Sequence, residues 1–281
     1  MTTRTDDRTP QTADAQMPIN PAETYERYMV PALFAPAAEH LLAVARLRPG
    51  ERVLDVGTGT GIVARLAAPN VGPTGRVAGL DASPAMLSVA RAMAAEEGLS
   101  IEWQEGRAEA LPYPDESFDL VLSQFALMFF TDRAGALSEM WRVLIPGGRV
   151  ALSVFQGIDR HPFYQTLDHA IERHLGMSAV GEIFALGDVE ALRASLTRVG
   201  FRDAAVESFP ITARFPNPNA FLAGEIDVDT AAIPAMQGLD PDARRNLTAA
   251  IEADMAETLR TVTDGDYVRL TFHAQIAHAR R

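Results

Sequence analysis

One turn constrains this chain more than any other stretch. Val53-Leu54-Asp55-Val56-Gly57-Thr58-Gly59-Thr60-Gly61 is a short apolar run that breaks into alternating glycines, and helical spacing resumes over Ile62 to Ala67. A run this apolar has no polar face to give to water, so it reads as a parallel strand covered on both sides. Glycines after it let the backbone turn tightly and let a ligand approach a helix N-terminus without meeting a Cβ.

Similar runs follow at Arg76 to Leu80, Phe118 to Leu122 and Arg149 to Val154, with a weaker one at Ser100 to Trp103. Helical stretches separate them. Ser83-Pro84 caps and opens a helix over Ala85 to Glu97, and Ala134 to Leu144 stops at Pro146-Gly147-Gly148. Before the first strand, Ala22 to Arg46 is helical. The alternation predicts an α/β fold: a doubly wound, mostly parallel, seven-stranded Rossmann-like sheet with a helical cap. Beyond residue 155 the rhythm loosens. Helices are expected at Pro162 to Leu175 and Asp188 to Val199, and a strand over Arg202 to Phe209. A proline-bearing loop after Phe215 leads to a helix from Pro241, whose stripe of Leu247, Ile251, Met255 and Leu259 reads as packing surface. Tyr267 to Ala277 closes as a strand. Residues 1–20 read as a polar, disordered leader, and 21–281 as one domain with a cofactor-binding core over 40–155 and a cap over 156–266.

Composition removes several function classes. The 281 residues include no cysteine, which excludes disulfides, thiolate metal sites and a thiol nucleophile. A net charge of −12 argues against a nucleic-acid footprint. No stretch approaches the ~18 consecutive apolar residues of a membrane span. No His, Asp or Glu cluster has metal-ligand spacing, so no metal is expected. The expected setting is cytoplasmic, as a monomer or homodimer acting on a small molecule.

Asp81 ends the second strand, 20 residues beyond Gly61. In a doubly wound sheet that position suits a carboxylate that accepts from both hydroxyls of a ribose. A nicotinamide dinucleotide has the same ribose, but its fingerprint is G-x-G-x-x-G, whereas this turn is G-x-G-x-G. Asp55, just before the glycines, would repel a pyrophosphate and attract a cationic amino group. The charge pattern favours an adenosine that carries an amino acid.

Four segments then resemble the class I S-adenosylmethionine-dependent methyltransferases, in particular the group similar to the ubiquinone/menaquinone C-methyltransferases. They are Val53 to Gly61, Gly79 to Leu87, Glu109 to Asp119 and Met140 to Gly148. The resemblance implies S-adenosyl-L-methionine as cofactor. Asp55, Gly57, Thr58, Gly59 and Gly61 hold the methionine end, Asp81 the ribose, and Ala82 and Met86 flank the adenine. Ala108 offers its backbone N–H to the adenine, and Ser123 its carbonyl to the methionine amine. Arg107 stands where relatives carry an acidic residue, and arginine cannot accept the adenine amino hydrogen bond. That contact is lost, or moves to Glu109, or Arg107 points to solvent.

Methyl transfer from a sulfonium needs alignment, exclusion of water and, for some acceptors, a base. Gln124, ending the fourth strand, is the candidate for orienting the acceptor, with Phe125, Met128, Phe129 and Phe130 as apolar wall or core. His161 is the candidate base, ahead of His169 and His174, because imidazole titrates near neutrality. Tyr25 and Tyr28 are candidates for a lid, and Tyr28 is counted among the cofactor contacts. An apolar cap with an acid-rich tip at Glu225, Asp227 and Asp229 points to a small, partly hydrophobic acceptor. The expected reaction is methylation of its oxygen or carbon. The alternatives are an S-adenosylmethionine-binding protein that is non-catalytic or repurposed, and an NAD(P)-dependent oxidoreductase.

Overall fold

Valines, leucines and isoleucines on both faces of a strand demand cover on both faces, and the sheet supplies it. In the computed structural model, which describes residues 21–178, 180–232 and 239–281, Val53, Leu54 and Val56 of β1 (Arg52–Val56) are fully buried although they alternate sides. The other strands are β2 (Arg76–Asp81), β3 (Glu102–Glu105), β4 (Phe118–Gln124), β5 (Leu144–Phe155), β6 (Arg202–Pro216), β7 (Thr263–Asp264) and β8 (Tyr267–Arg280). Their order is β3-β2-β1-β4-β5-β8-β6, with the two-residue β7 forming a hairpin on β8. The ladders from β3 through β5 are parallel, and β8 runs antiparallel to both β5 and β6. This is the expected doubly wound α/β sheet. Strand order reverses between β1 and β4, which opens a crevice beyond their carboxyl ends.

Eight helices are described: α1 (Pro21–Ala45), α2 (Ile62–Val71), α3 (Pro84–Glu96), α4 (Arg133–Val143), α5 (Pro162–Leu175), α6 (Val189–Arg198), α7 (Pro218–Ala232) and α8 (Pro241–Val262). Ser83 caps α3 as its type predicts, its Oγ accepting from the Met86 N–H at 3.3 Å. In α8, Ile251 and Met255 are fully buried, so the expected stripe is packing surface.

Several expectations need correction. The loop foreseen after Phe215 is helix α7, because Pro218 occupies the first helical turn, where its missing N–H costs nothing. Strand β6 runs on to Pro216, and β3 lies two residues later than expected. Strand β5 begins at Leu144, with Pro146 to Gly148 accommodated where the register slips between Phe118 and Leu120. Helix α1 is long and apolar enough, by length and composition, to cross a membrane, although Glu23, Glu26, Arg27 and Glu39 keep it short of ~18 consecutive apolar residues. Its Leu33, Ala37, Ala38 and Leu41 are buried in the main core, where α1 packs on β4, β5, β8 and α2. Within α1, Tyr25–Phe34 is π-helical around Pro31, the Ala35 N–H reaching back to the Val30 carbonyl. The expected leader at 1–20 lies outside the described residues, as do the side chains of Asp227 and Asp229.

Candidate functional site

The crevice is built on one turn of three glycines at the carboxyl end of β1. Gly57 has φ +71°, and a Cβ there would lie 2.4 Å from the Ala126 Cβ, so only glycine lets β1 turn against the segment after β4. Gly61 has φ +86° and would strike the Trp103 ring at 2.5 Å. A Cβ on Gly59 would meet nothing within 4 Å, so the middle of the turn faces open space.

Two carboxylates bracket the turn. Asp81 accepts from the Gly59 N–H at 2.8 Å with Oδ2 and from the Ser83 N–H at 2.9 Å with Oδ1. It thus ties the ends of β1 and β2 together. Each oxygen keeps a second lone pair for a ligand hydroxyl. Asp55 is 1% exposed, and its Oδ2 accepts from the Thr58 hydroxyl at 2.5 Å. Its Oδ1 is buried without a hydrogen bond, as is the Thr60 hydroxyl. Burial pushes the Asp55 carboxyl up to about 7, opposed by the Thr58 hydroxyl and by the nearby Ala64 N–H dipole, which closes no hydrogen bond on Oδ1, and aided by the charge of Asp81. An orphaned buried carboxylate oxygen costs free energy unless something cationic meets it. The ammonium of an amino-acid-bearing nucleoside is such a group, with its ribose hydroxyls at Asp81, so the donor set fits the cofactor implied by the sequence.

The adenine end is less engaged. Ala82 is exposed, Met86 half-buried and Ala108 buried. Arg107 is exposed and its guanidinium reaches Thr131 Oγ1 at 3.1 Å and Glu109 at 3.4 Å. Glu109 accepts from the Thr131 N–H at 2.9 Å, so it braces a loop and is not turned toward a base. Ser123 donates its hydroxyl to the Val56 carbonyl at 2.8 Å, which stitches β4 to β1 and leaves only its backbone for a ligand.

Helix α1 roofs the crevice, and here two expectations change. Tyr28 is 44% exposed, whereas Tyr25 is more enclosed. Tyr25 takes the covering position: it stacks on Phe34 at 5.0 Å, and burial together with the charges of Asp81, Glu26 and Asp55 drives its phenol above the usual range. Beside it, Glu26 pairs at 2.6 Å with buried Arg65 of α2, which also pairs with Glu97 after α3. Gln124 holds the same roof, its Nε2 donating to the Phe34 carbonyl at 3.0 Å.

His161 is not available as a base. Its Nε2 accepts from the His273 N–H at 2.9 Å, so that nitrogen carries no proton, and Nδ1 must then donate to the Gly157 carbonyl at 3.1 Å. Both ring nitrogens are spent on joining α5 to β8. Burial among Phe155, Phe184 and Phe272 depresses its pKa to about 4. His169 is exposed, and His174 pairs with Asp254 of α8 at 2.9 Å. Phe125 and Met128 are buried, Phe129 is 60% exposed, and Phe130 lies 3.6 Å from where a Gly57 Cβ would stand. Two residues that the motifs did not single out have buried, unpartnered hydroxyls near the crevice, Thr60 and Ser153. For Ser153 the sequence signal was a lone hydroxyl inside the apolar run Arg149 to Val154.

Comparison with known proteins bears on the family and the fold. A family model described as a methyltransferase domain matches residues 54–152. The chain is 38% identical over 149 residues to a ubiquinone/menaquinone biosynthesis C-methyltransferase of Xanthomonas campestris, covering 52% of this chain and 58% of the relative. It is thus matched to little more than half that relative's length. A protein of the same description from Legionella pneumophila is 33% identical, over 58% of this chain and 72% of its own. The YcgJ protein of Bacillus shares the fold, with TM-score 0.57 at 21% identity, over 87% of this chain and 97% of its own.

Proposed function

This chain belongs to the class I S-adenosylmethionine-dependent methyltransferases, and from that premise we propose that it methylates an oxygen or carbon of a small, partly hydrophobic, ring-bearing metabolite. S-adenosylmethionine, the family's cofactor, supplies an electrophilic methyl group on a positively charged sulfur. The chain's own residues bind, orient and exclude water. Asp55 Oδ1 accepts from the amino group, with Thr58 holding the carboxylate in place. Gly57, Gly59 and Gly61 bring the backbone close to the amino-acid end, and Asp81 takes the ribose hydroxyls on its remaining lone pairs. Ala82 and Met86 flank the adenine, Ala108 offers it an N–H, and the Ser123 carbonyl faces the amine. Arg107, drawn to Glu109 and Thr131, leaves the adenine amino group to solvent.

At the acceptor end Gln124 is the orienting group, beside an aromatic wall in which Phe125 stacks on Phe155 at 4.1 Å and meets Phe34 at 5.8 Å. That wall favours a flat ring, and the relatives' description as quinone-pathway C-methyltransferases makes a ring carbon next to a hydroxyl the leading acceptor atom. With His161 committed to the fold, an acceptor already acidic at neutral pH suits the site best. A net charge of −12 supports a free small molecule over nucleic acid, in the cytoplasm, with the enzyme a monomer or homodimer.

The observation that carries the reading is the unpaired Asp55 oxygen beside the open Gly59 turn. Calorimetric titration with S-adenosylmethionine tests it: binding is expected, and Asp81→Ala weakens it about tenfold or more, the scale of losing hydrogen bonds to a charged group. A folded protein that binds NAD(P)H instead defeats the reading. Binding without formation of S-adenosylhomocysteine across candidate acceptors selects the non-catalytic or repurposed alternative.

A further inference from the structure

The edge of the sheet opposite the glycine turn carries an open cavity of about 450 Å³, within the range of small-molecule sites. Its walls are the C-terminal end of α1 with the segment after it, β5 at Arg149, the start of β6 and the end of β8. Arg149 pairs with Leu120 of β4, whereas Gln124 at the crevice end of β4 pairs with Ser153, so the cavity and the crevice lie at different ends of the same strands. His40, stacked on Phe209 at 4.1 Å, closes one side.

Charge is concentrated here against the sign of the whole chain. Arg280 is the register partner of Arg149 on one side and of Arg202 on the other, so three arginines stand in one row across β5, β8 and β6. Like charges directly opposite each other destabilise a sheet. Only Arg149 is answered. It pairs with Glu51 at 2.9 Å and donates to the Ala45 and Arg46 carbonyls, which also offsets the negative end of α1. Among the described residues, no ion pair or hydrogen bond engages the side chains of Arg46, Arg48, Arg202 or Arg280. Arg46 follows the helix at φ +52°, in the left-handed region where glycine is the usual residue, so a long cation is kept there against backbone preference. Of the lining acids, Glu207 is taken by His278 at 3.1 Å, which leaves Asp203. With the histidines neutral, three free arginines against one free aspartate give the cavity a positive surplus, in a chain whose net charge is −12.

We propose that this cavity binds a small anion bearing a diphosphate group, with Arg46, Arg48 and Arg280 as its ligands. A guanidinium pairs with two phosphate oxygens at once, and a group of two or more negative charges offsets the repulsion along the arginine row. A lone carboxylate leaves part of that charge unanswered. An extended polyanion is disfavoured, because the surplus is confined to one cavity on an acidic protein. The site shares no residue with the glycine-turn crevice, so it stands or falls apart from the methyltransferase reading.

Calorimetric titration of inorganic pyrophosphate into the full chain, at constant ionic strength, is the test. Pyrophosphate should bind about tenfold or more tightly than inorganic phosphate, the scale of an added charge-assisted hydrogen bond. Arg46→Gly, which suits the backbone at that position, and Arg280→Gln should each weaken pyrophosphate binding about tenfold, whereas Arg193→Gln on the exposed surface of α6 should not. ADP, titrated with excess S-adenosylhomocysteine present, distinguishes the source. Binding tighter than that of pyrophosphate, and lost in Arg46→Gly, assigns a nucleoside-borne diphosphate, and weaker binding assigns the free anion. No pyrophosphate binding by the folded protein overturns the proposal. So does a loss no greater in Arg46→Gly and Arg280→Gln than in Arg193→Gln, or displacement of pyrophosphate by S-adenosylmethionine.

Discussion

The crevice around β1 and the cap over 156–266 treat their buried polar groups in opposite ways. Around β1, β2 and β4 they are left incomplete: Asp55 Oδ1, the Thr60 hydroxyl and Gln124 Oε1 are buried without partners. In the cap they are closed on one another. Asp168 accepts from the Val180 N–H and the Ser178 hydroxyl, Tyr164 donates to Glu225, and His161 spends both nitrogens on backbone. A satisfied network rigidifies and an unsatisfied one waits for a ligand. The groups proposed to meet ligand therefore lie in the first region, and the second is proposed to contribute shape.

The strongest way to break this contrast is at Asp55. Asp55→Ala should weaken S-adenosylmethionine binding by about a hundredfold, the upper range for a buried hydrogen bond to a charged group, read by calorimetry. Retained affinity would make the orphan oxygen incidental. The same carboxyl sets a pH dependence. With its pKa near 7 in the free protein, it must lose a proton to meet a cationic amine. Affinity should rise up to about tenfold per pH unit below 7, level off above it, and be accompanied by proton release measurable in buffers of different ionisation enthalpy. In the unliganded protein the sign is reversed: the folded state binds the extra proton between pH 4 and 7, so this group's contribution to stability falls as pH rises through that window.

His161 sharpens the contrast from the other side. His161→Ala should cost about 1–3 kcal/mol by orphaning the His273 N–H, read by chemical denaturation, with the pH–rate profile keeping its shape. Loss of a limb near pH 6.5 would restore it as a base. Because its pKa is depressed to about 4, the unfolded chain takes up the proton first, and stability should fall as pH drops below about 6.5. The smallest effect belongs to the roof. Tyr25→Ala should weaken cofactor binding a fewfold, on the scale of one lost contact, and Tyr28→Ala should leave it unchanged.

What the sequence made legible was whatever the backbone dictates. The limits of β1, the cap at Ser83, and the Asp55–glycine–Asp81 bracket all follow from local rules, because a turn of that geometry admits few residues. Three things were hidden for physical reasons. Pro216 and Pro218 signalled a loop, yet proline suits the first turn of a helix as well as it suits a break. Tyr25 and Tyr28 are equivalent lid candidates by type, and what separates them is a π-helical segment around Pro31, whose wider register sets which side chains face inward. His161 was chosen for its intrinsic pKa, and what disqualifies it is the His273 amide, more than a hundred residues away, together with a shell of phenylalanines that no periodicity reveals.

The placement of β8 has a consequence for how the chain comes together. It lies between β5 and β6, pairing with Arg149–Phe155 of the one and along nearly the whole of the other. Until residue 280 has left the ribosome, β5 shows a bare edge and β6 has nothing to zip onto, so the acceptor-facing cap cannot dock. The proposed nucleoside-gripping half can form early in synthesis, whereas the enclosure proposed for the second substrate waits for β8.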